Sequence, residues 1–248
     1  DTDCHPGLAA FADGLTAEAA KQHLNEPHLP DNKALGLYFA AIRETFEESG
    51  VLLTCLTSGK EIDFSDPTIR KRFNEYRTRI HRQEMTLEDL ARKEHLIFRL
   101  NALMPYAHWI TPEAERKRFD TRFFLAPMPS GQKPVHDSRE MAETLWIEPE
   151  KALLKQKQGD MLLMPPTLKT LEEMARQPSV TELLATLSSA TIQPIMPQVA
   201  AVGDSVVIKL PHDPDYTFAG RKQPHRPHEI SRFVIQDGRF RALTYEEQ

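Results

Sequence analysis

Four side chains in the stretch AAIRETFEESGVLL (residues 40–53) could do chemistry together: Arg43, Glu44, Glu47 and Glu48, with Gly50 following at once. Glutamates at i, i+3 and i+4 share one side of a helix. At about 100° per residue they cover an arc of roughly 100°. Leu35, Phe39, Ile42 and Phe46 form an apolar arc on nearly the opposite side. Burying that arc leaves three carboxylates close together, repelling one another by about 0.2–0.5 kcal/mol per pair. A hard divalent cation such as Mg²⁺, which prefers carboxylate oxygen, relieves that repulsion. The plainer reading of the same residues is a solvated acidic helix face.

The elements that must position these acids come from a chain of 248 residues, long enough to bury a sizeable core as one large domain or one domain with a big insertion. With 40% apolar and 27% charged residues the composition is that of an ordinary soluble globular protein. A formal charge of −5 gives no general attraction to nucleic acid or anionic membrane, so neither is expected as a partner. Cys4 and Cys55 are too few for a disulfide framework and lack metal-site spacing, which favours a reducing, cytoplasmic setting. No apolar run is long enough to span a membrane and no signal-peptide pattern is present. The start at Asp1, without Met, reads as the start of a fragment.

Thr16 to Leu24 is a short helix ended by Pro27 and Pro30. The glutamate helix then takes Asp31 or Asn32 as N-cap and stops at Gly50, the residue best suited to a left-handed end. Residues 51–56 read as a short buried strand or apolar connector. Residues 57–112 read as a helical block: Asp66-Pro67 opens one helix through about Gln83, Thr86 with Asp89 opens a second toward Leu103, and Met104-Pro105 closes the block. Arg70, Lys71, Arg72, Arg77, Arg79 and Arg82 form a basic surface, either a guide for a phosphate-bearing substrate or a solvated face. Arg118 to Pro129 alternates as a strand, with Arg122 on its second face, presenting a cation to a ligand or pairing at an edge. His108 reads as a structural histidine.

Farther on, Pro149 opens a helix, Pro165-Pro166 precede another that starts near Thr167, and Val180 to Ser188 is a third with Thr181 as its cap. The last part carries a strand over Val206 to Leu210 and an exposed loop holding His212, His225 and His228. A hairpin follows, from Phe233 to Tyr245, turning at Asp237-Gly238. There is no internal repeat.

RETFEESGV resembles the second half of the Nudix box, Arg-Glu-apolar-x-Glu-Glu-x-Gly-apolar, with Thr45 in the apolar place. The first half departs: Leu35 and Leu29 stand where Glu and Gly are expected. Together with AAIRETFEESGVLL, the stretches WITPEAERKRFDTRFFLA and MLLMPPTLKTLEE are similar to one Nudix subgroup, the peroxisomal coenzyme A diphosphatase type and its bacterial relatives. That subgroup's box is split by a long insertion, which accounts for the lost half. The likeness covers about residues 35 to 175. It implies Glu44, Glu47 and Glu48 as ligands of Mg²⁺ or Mn²⁺, Glu44 or Glu140 as the base, and Arg43 as the group that orients a carboxylate one turn on. Glu140, six residues before Trp146, is the further carboxylate, with Glu143 as second choice; Arg122, Arg118 or Lys117 would offset charge on the leaving phosphate.

The expected fold class is α+β, a Nudix-type α/β/α sandwich of mixed sheet with a helical insertion. Residues 1–175 would form a Nudix-like domain lacking its first strands and glycine turn, with the insertion at 57–112. Residues 176–248 would add a helix and hairpin packed on it. The expected activity is metal-dependent hydrolysis of the diphosphate linkage in a nucleoside diphosphate derivative, coenzyme A or an acyl-coenzyme A, by a chain that forms a homodimer. The alternatives are a non-catalytic Nudix-like nucleotide-binding or regulatory module and an α+β domain with a merely acidic surface helix.

Overall fold

Side-chain caps start the helices where the sequence places Ser, Thr or Asp. The Ala19 amide donates to the Thr16 hydroxyl at the start of α1 (Ala17–Leu24). The computed structural model describes residues 2–112, 116–134, 145–188, 190–202, 205–236 and 238–247. It divides into two compact units, Asp1–Tyr106 with Phe123–Leu145, and Ala107–Arg122 with Trp146–Gln248.

The first unit is built on α2 (Asp31–Ser49), whose Tyr38, Phe39, Ile42 and Phe46 are buried. Leu35 is half-buried, so Tyr38 takes a larger part in the apolar face than the spacing predicted. The N-cap is Pro30, with no side-chain cap bond, because Asp31 is already helical and its carboxylate pairs with Lys21 at 2.5 Å. Gly50 closes the helix at φ 73°, the left-handed region glycine enters without steric cost. After the short strand β1 (Thr54–Leu56), α3 (Pro67–His81) starts at Asp66, whose carboxylate accepts from the Thr68 amide.

α4 (Leu87–Glu94) opens with the expected Thr86/Asp89 capping box but ends at Glu94 and not near Leu103. His95 turns left-handed there, and Leu96–Phe98 leave as strand β2, antiparallel to β1. Burying Leu96 and Phe98 on alternate positions against the core outweighs continued helix. Met104-Pro105 likewise begins strand β3 (Met104–Ile110). Phe39 meets Phe98 edge-on at 5.8 Å, tying α2 to β2.

His108 and Trp109 of β3, in the second unit, pair in parallel with β5 (Pro194–Ile195), and β4 (Asp120–Leu125), of which residues 120–122 belong to this unit, lies on the other side of β3. Helices α5 (Pro149–Gln158), α6 (Pro165–Ala175) and α7 (Val180–Ser188) lie between β4 and β5 in the chain. α6 begins at Pro165 itself, since proline suits the first helical position, and Ser179 rather than Thr181 caps α7. Strands β6 (Gln198–Val202), β7 (Ser205–Lys209), β8 (Arg232–Gln236) and β9 (Arg239–Leu243) form an antiparallel sheet in sequence order; the hairpin β8–β9 is the predicted one. Parallel and antiparallel pairing together with seven named helices make the class α+β, as expected.

The 211–228 segment is the exposed loop the sequence suggested at His225 and His228, but its first residues turn inward. His212, Asp213 and Tyr216 are buried, at 2%, 0% and 1% exposure. The reason is Arg232 at the start of β8, which donates to Asp213 at 2.6 and 2.7 Å while Ser231 donates to the same carboxylate at 2.9 Å. Burial pushes the Asp213 carboxyl up, but these bonds and that from the Asp215 amide outweigh it and hold the group below the usual carboxylate range.

Candidate active site

The last two turns of α2 place the candidate residues. Arg43 extends over the helix surface and serves several carboxylates at once: its Nε donates to both oxygens of Asp3 at 3.0 Å, one η nitrogen to Glu47 at 2.8 Å and the other to Glu44 at 2.7 Å. Glu47 is one turn on from Arg43 and largely buried, with 13% of its side chain exposed, while Glu44 and Glu48 are exposed. His81, the last residue of α3, brings Nδ1 within 3.4 Å of the other Glu47 oxygen.

Burial opposes the Arg43 charge, but the bonds to Glu47 and Glu44 and the Asp3 carboxylate outweigh it and raise its guanidinium above the ordinary value. Asp3 moves up as well: burial raises it, and Arg43 offsets that only in part because Glu44 and Glu47 push the same way. Asp3 is raised although it is paired: the 3.0 Å contacts are those of an ion pair, and the rise reflects burial.

Arg77, read from the sequence as part of a basic surface, is not on that surface. It is 8% exposed, and its guanidinium donates to the carbonyls of Glu47 and Glu48 at 2.8 and 2.7 Å. Those carbonyls are in the unsatisfied last turn of α2, so α3 holds the backbone of the two glutamates from outside the helix. The basic surface predicted for α3 therefore loses Arg77. The signal was in the spacing, since Arg77 follows Phe73 by four residues and precedes Ile80 by three, on the face that α3 buries.

Arg122 and Arg118 belong to the second unit. Arg122 pairs with Asp120 at 2.7 Å, and Asp120 also meets Nε2 of the buried His108 at 2.6 Å. Arg118 donates to the Thr111 carbonyl at 3.2 Å, and the Lys117 ammonium stands 4.9 Å from the Phe119 ring centre. Glu140 and Glu143 lie outside the described residues.

The donor chemistry of Glu44, Glu47 and Glu48 suits a hard divalent cation. Among the described residues, no group of three or more His, Cys, Asp or Glu side chains is arranged to hold a metal ion. Arg43 draws Glu44 and Glu47 onto itself, which is the physical reason the acids do not converge. No described helix is long and apolar enough to cross a membrane.

The NUDT19 Nudix domain matches residues 8–174. Acyl-coenzyme A diphosphatase NUDT19 of Xenopus laevis is 24% identical over 82% of this chain and 58% of its own length. The Gallus gallus protein of the same name is 27% identical over 79% of this chain and 57% of its own. The chain thus spans somewhat over half the length of these relatives. A NUDIX hydrolase from Alicyclobacillus acidocaldarius, known from its crystal structure, superposes with a TM-score of 0.52 and 24% identity, covering 67% of this chain and 72% of the other. That likeness concerns the fold alone.

Proposed function

The chain belongs to the Nudix superfamily, in the NUDT19 Nudix domain family, and on that premise we propose that it hydrolyses the diphosphate linkage of a nucleoside diphosphate derivative. The observation that carries this reading is the placement of RETFEESG on one helix end, with Arg43 bonded to Glu47 one turn on and to Glu44 beside it. Coenzyme A or an acyl-coenzyme A is the substrate we infer, supported by the names of the two vertebrate relatives.

In this reading Glu44, Glu47 and Glu48 would hold Mg²⁺ or Mn²⁺. Such a cation supplies neutralisation of phosphate oxygens and acidification of water. Arg43 orients Glu47 and Glu44 by its fixed fork of donors. Arg77 fixes the backbone that carries Glu47 and Glu48. Glu44 or Glu140 takes the proton of the attacking water, and Arg122 or Arg118 offsets charge on the leaving phosphate. We further propose a catalytic domain over 1–175 extended by 176–248, and a homodimer in a reducing, cytoplasmic setting.

A second reading, a nucleotide-binding module without turnover, is favoured by Leu35 in the place of a box glutamate and by the engagement of two of the acids with Arg43. A screen of coenzyme A, NADH, ADP-ribose and dinucleoside polyphosphates with Mg²⁺, Mn²⁺ or chelator separates the two. Hydrolysis is expected only with divalent ion and should fall about 100-fold or more in Glu47→Gln and in Glu48→Gln. Binding without product under every condition would decide for the module.

A further inference from the structure

Glu47 is held from two helices, one at each oxygen. Arg43, within α2, donates to Oε1 at 2.8 Å, while His81, the last residue of α3, places Nδ1 3.4 Å from Oε2. Neither side of the second contact is loose on the surface, with 25% of the His81 side chain and 13% of the Glu47 side chain exposed. An ionised carboxylate only accepts, so the imidazole supplies the N–H. At 3.4 Å the contact is longer than a closed hydrogen bond. Contacts of this kind in catalytic sites tighten when the ligand binds.

The last turn of α3 is built to keep that ring in place. Arg77, four residues before His81, is bonded to the Glu47 and Glu48 carbonyls, and Ile80 is buried in the core. Beyond His81 the helix closes and does not fray. The Gln83 amide donates to the Ile80 carbonyl and the Glu84 amide to the Arg79 carbonyl, both at 2.8 Å, with Gln83 left-handed at φ 58°. This pair of bonds is the Schellman stop, which glycine makes most often and glutamine makes against a steric cost. Residues 77 and 81 share one face of α3, so that face grips Glu47 by its peptide and by its carboxylate.

A carboxylate has about four acceptor directions, two on each oxygen. Arg43 takes one on Oε1 and His81 faces one on Oε2, which fixes the plane of the group and leaves a direction on each oxygen for a cation. We propose that His81 is a positioning residue, acting through Glu47 by holding its carboxylate in the orientation that binds a divalent cation. The inference rests on the reading of α2 as the cation-holding helix of a hydrolase. It gives α3, which falls in the stretch 57–112 read from the sequence as an insertion, a part in the site itself.

The test is calorimetric titration of Mn²⁺ into the full chain, without substrate, for the wild type, His81→Leu and His81→Asn, with a thermal melt of each protein free of metal. The binding counted is the part that Glu47→Gln removes. Leucine takes the donor away, whereas asparagine brings an amide N–H near the place of Nδ1. His81→Leu should weaken Mn²⁺ by about tenfold or more, the usual loss when a group that orients a metal ligand is removed. Its Tm should equal that of the wild type, and His81→Asn should recover most of the affinity. Steady-state kcat should follow the same order with KM unchanged. Affinity intact in His81→Leu, equal losses in both variants, or a loss that tracks a lowered Tm would overturn the proposal. A wild type that binds Mn²⁺ at Glu47 and hydrolyses nothing would overturn the hydrolase reading and leave the titration to decide this one. A wild type with no Mn²⁺ binding that depends on Glu47 would overturn the role given to His81.

Discussion

Arg43 is the residue through which the acids of α2 communicate. One guanidinium satisfies Asp3, Glu44 and Glu47 in a geometry that lysine, a compact ammonium, cannot reproduce. Arg43→Lys is therefore expected to lower kcat by about tenfold or more, the loss of a charge-assisted bond that fixes Glu47. Kinetics alongside urea unfolding would check that activity falls more than stability. Tyr38 makes the opposite case. Its hydroxyl is buried and has no hydrogen-bond partner among the described residues, while its ring packs 4.9 Å from that of Phe124. Tyr38→Phe keeps the ring and should leave stability unchanged or raise it by up to about 1 kcal/mol. A clear destabilisation in the same melt would mean that the hydroxyl is satisfied after all. The glutamates and Arg43 were legible from spacing because one helix carries them all. Asp3 was not, because it reaches Arg43 across 40 positions of chain.

For α2 as an element, the decisive contact comes from α3. A helix end leaves its last carbonyls without partners, and Arg77 takes up two of them under the residues that matter most. Arg77→Met removes both bonds while keeping much of the side chain's bulk. It is expected to cost about 1.5–3 kcal/mol. Faster amide exchange over residues 46–50 than in the wild type would locate the damage, and unchanged exchange there would refute this role. The sequence marked the start of α3 and both ends of α4's capping box correctly, since those depend on residues within one turn of each other. It overran α4 because the competing strand β2 is stabilised by pairing with β1, some forty residues earlier in the chain.

Across the molecule, the largest departure from the sequence-based reading is the buried polar node of the second unit. Arg232 is 6% exposed, bonded to Asp213 and 4.9 Å from the Tyr245 ring centre. Asp213→Asn leaves the guanidinium short of charge in a buried place and should cost about 3–5 kcal/mol by denaturant melt. His212 adds a pH dependence. Burial lowers its pKa below the ordinary 6.5 despite its bond to the Ile230 carbonyl, with Lys169 and Arg226 acting in the same direction and Glu229 against it. Below pH 6.5 the unfolded chain therefore binds a proton that the folded chain resists, so stability declines as pH falls through that value. Urea midpoints at pH 7.5 and 5.5 should show that decline, and His212→Asn should flatten it; equal slopes in both proteins would remove His212 as the cause.

Local order was written in the chain: which face of α2 is apolar, where its carboxylates cluster, where the caps of α3 and α4 and the β8–β9 turn fall, and the RETFEESGV pattern that places it among Nudix proteins. These need only neighbours a few positions apart. Folding alone decided that Asp3 joins Arg43, that Arg77 grips the end of α2, and that His212 and Asp213 are interior. Each of those rests on a partner distant in sequence, whose charge or burial no local pattern carries.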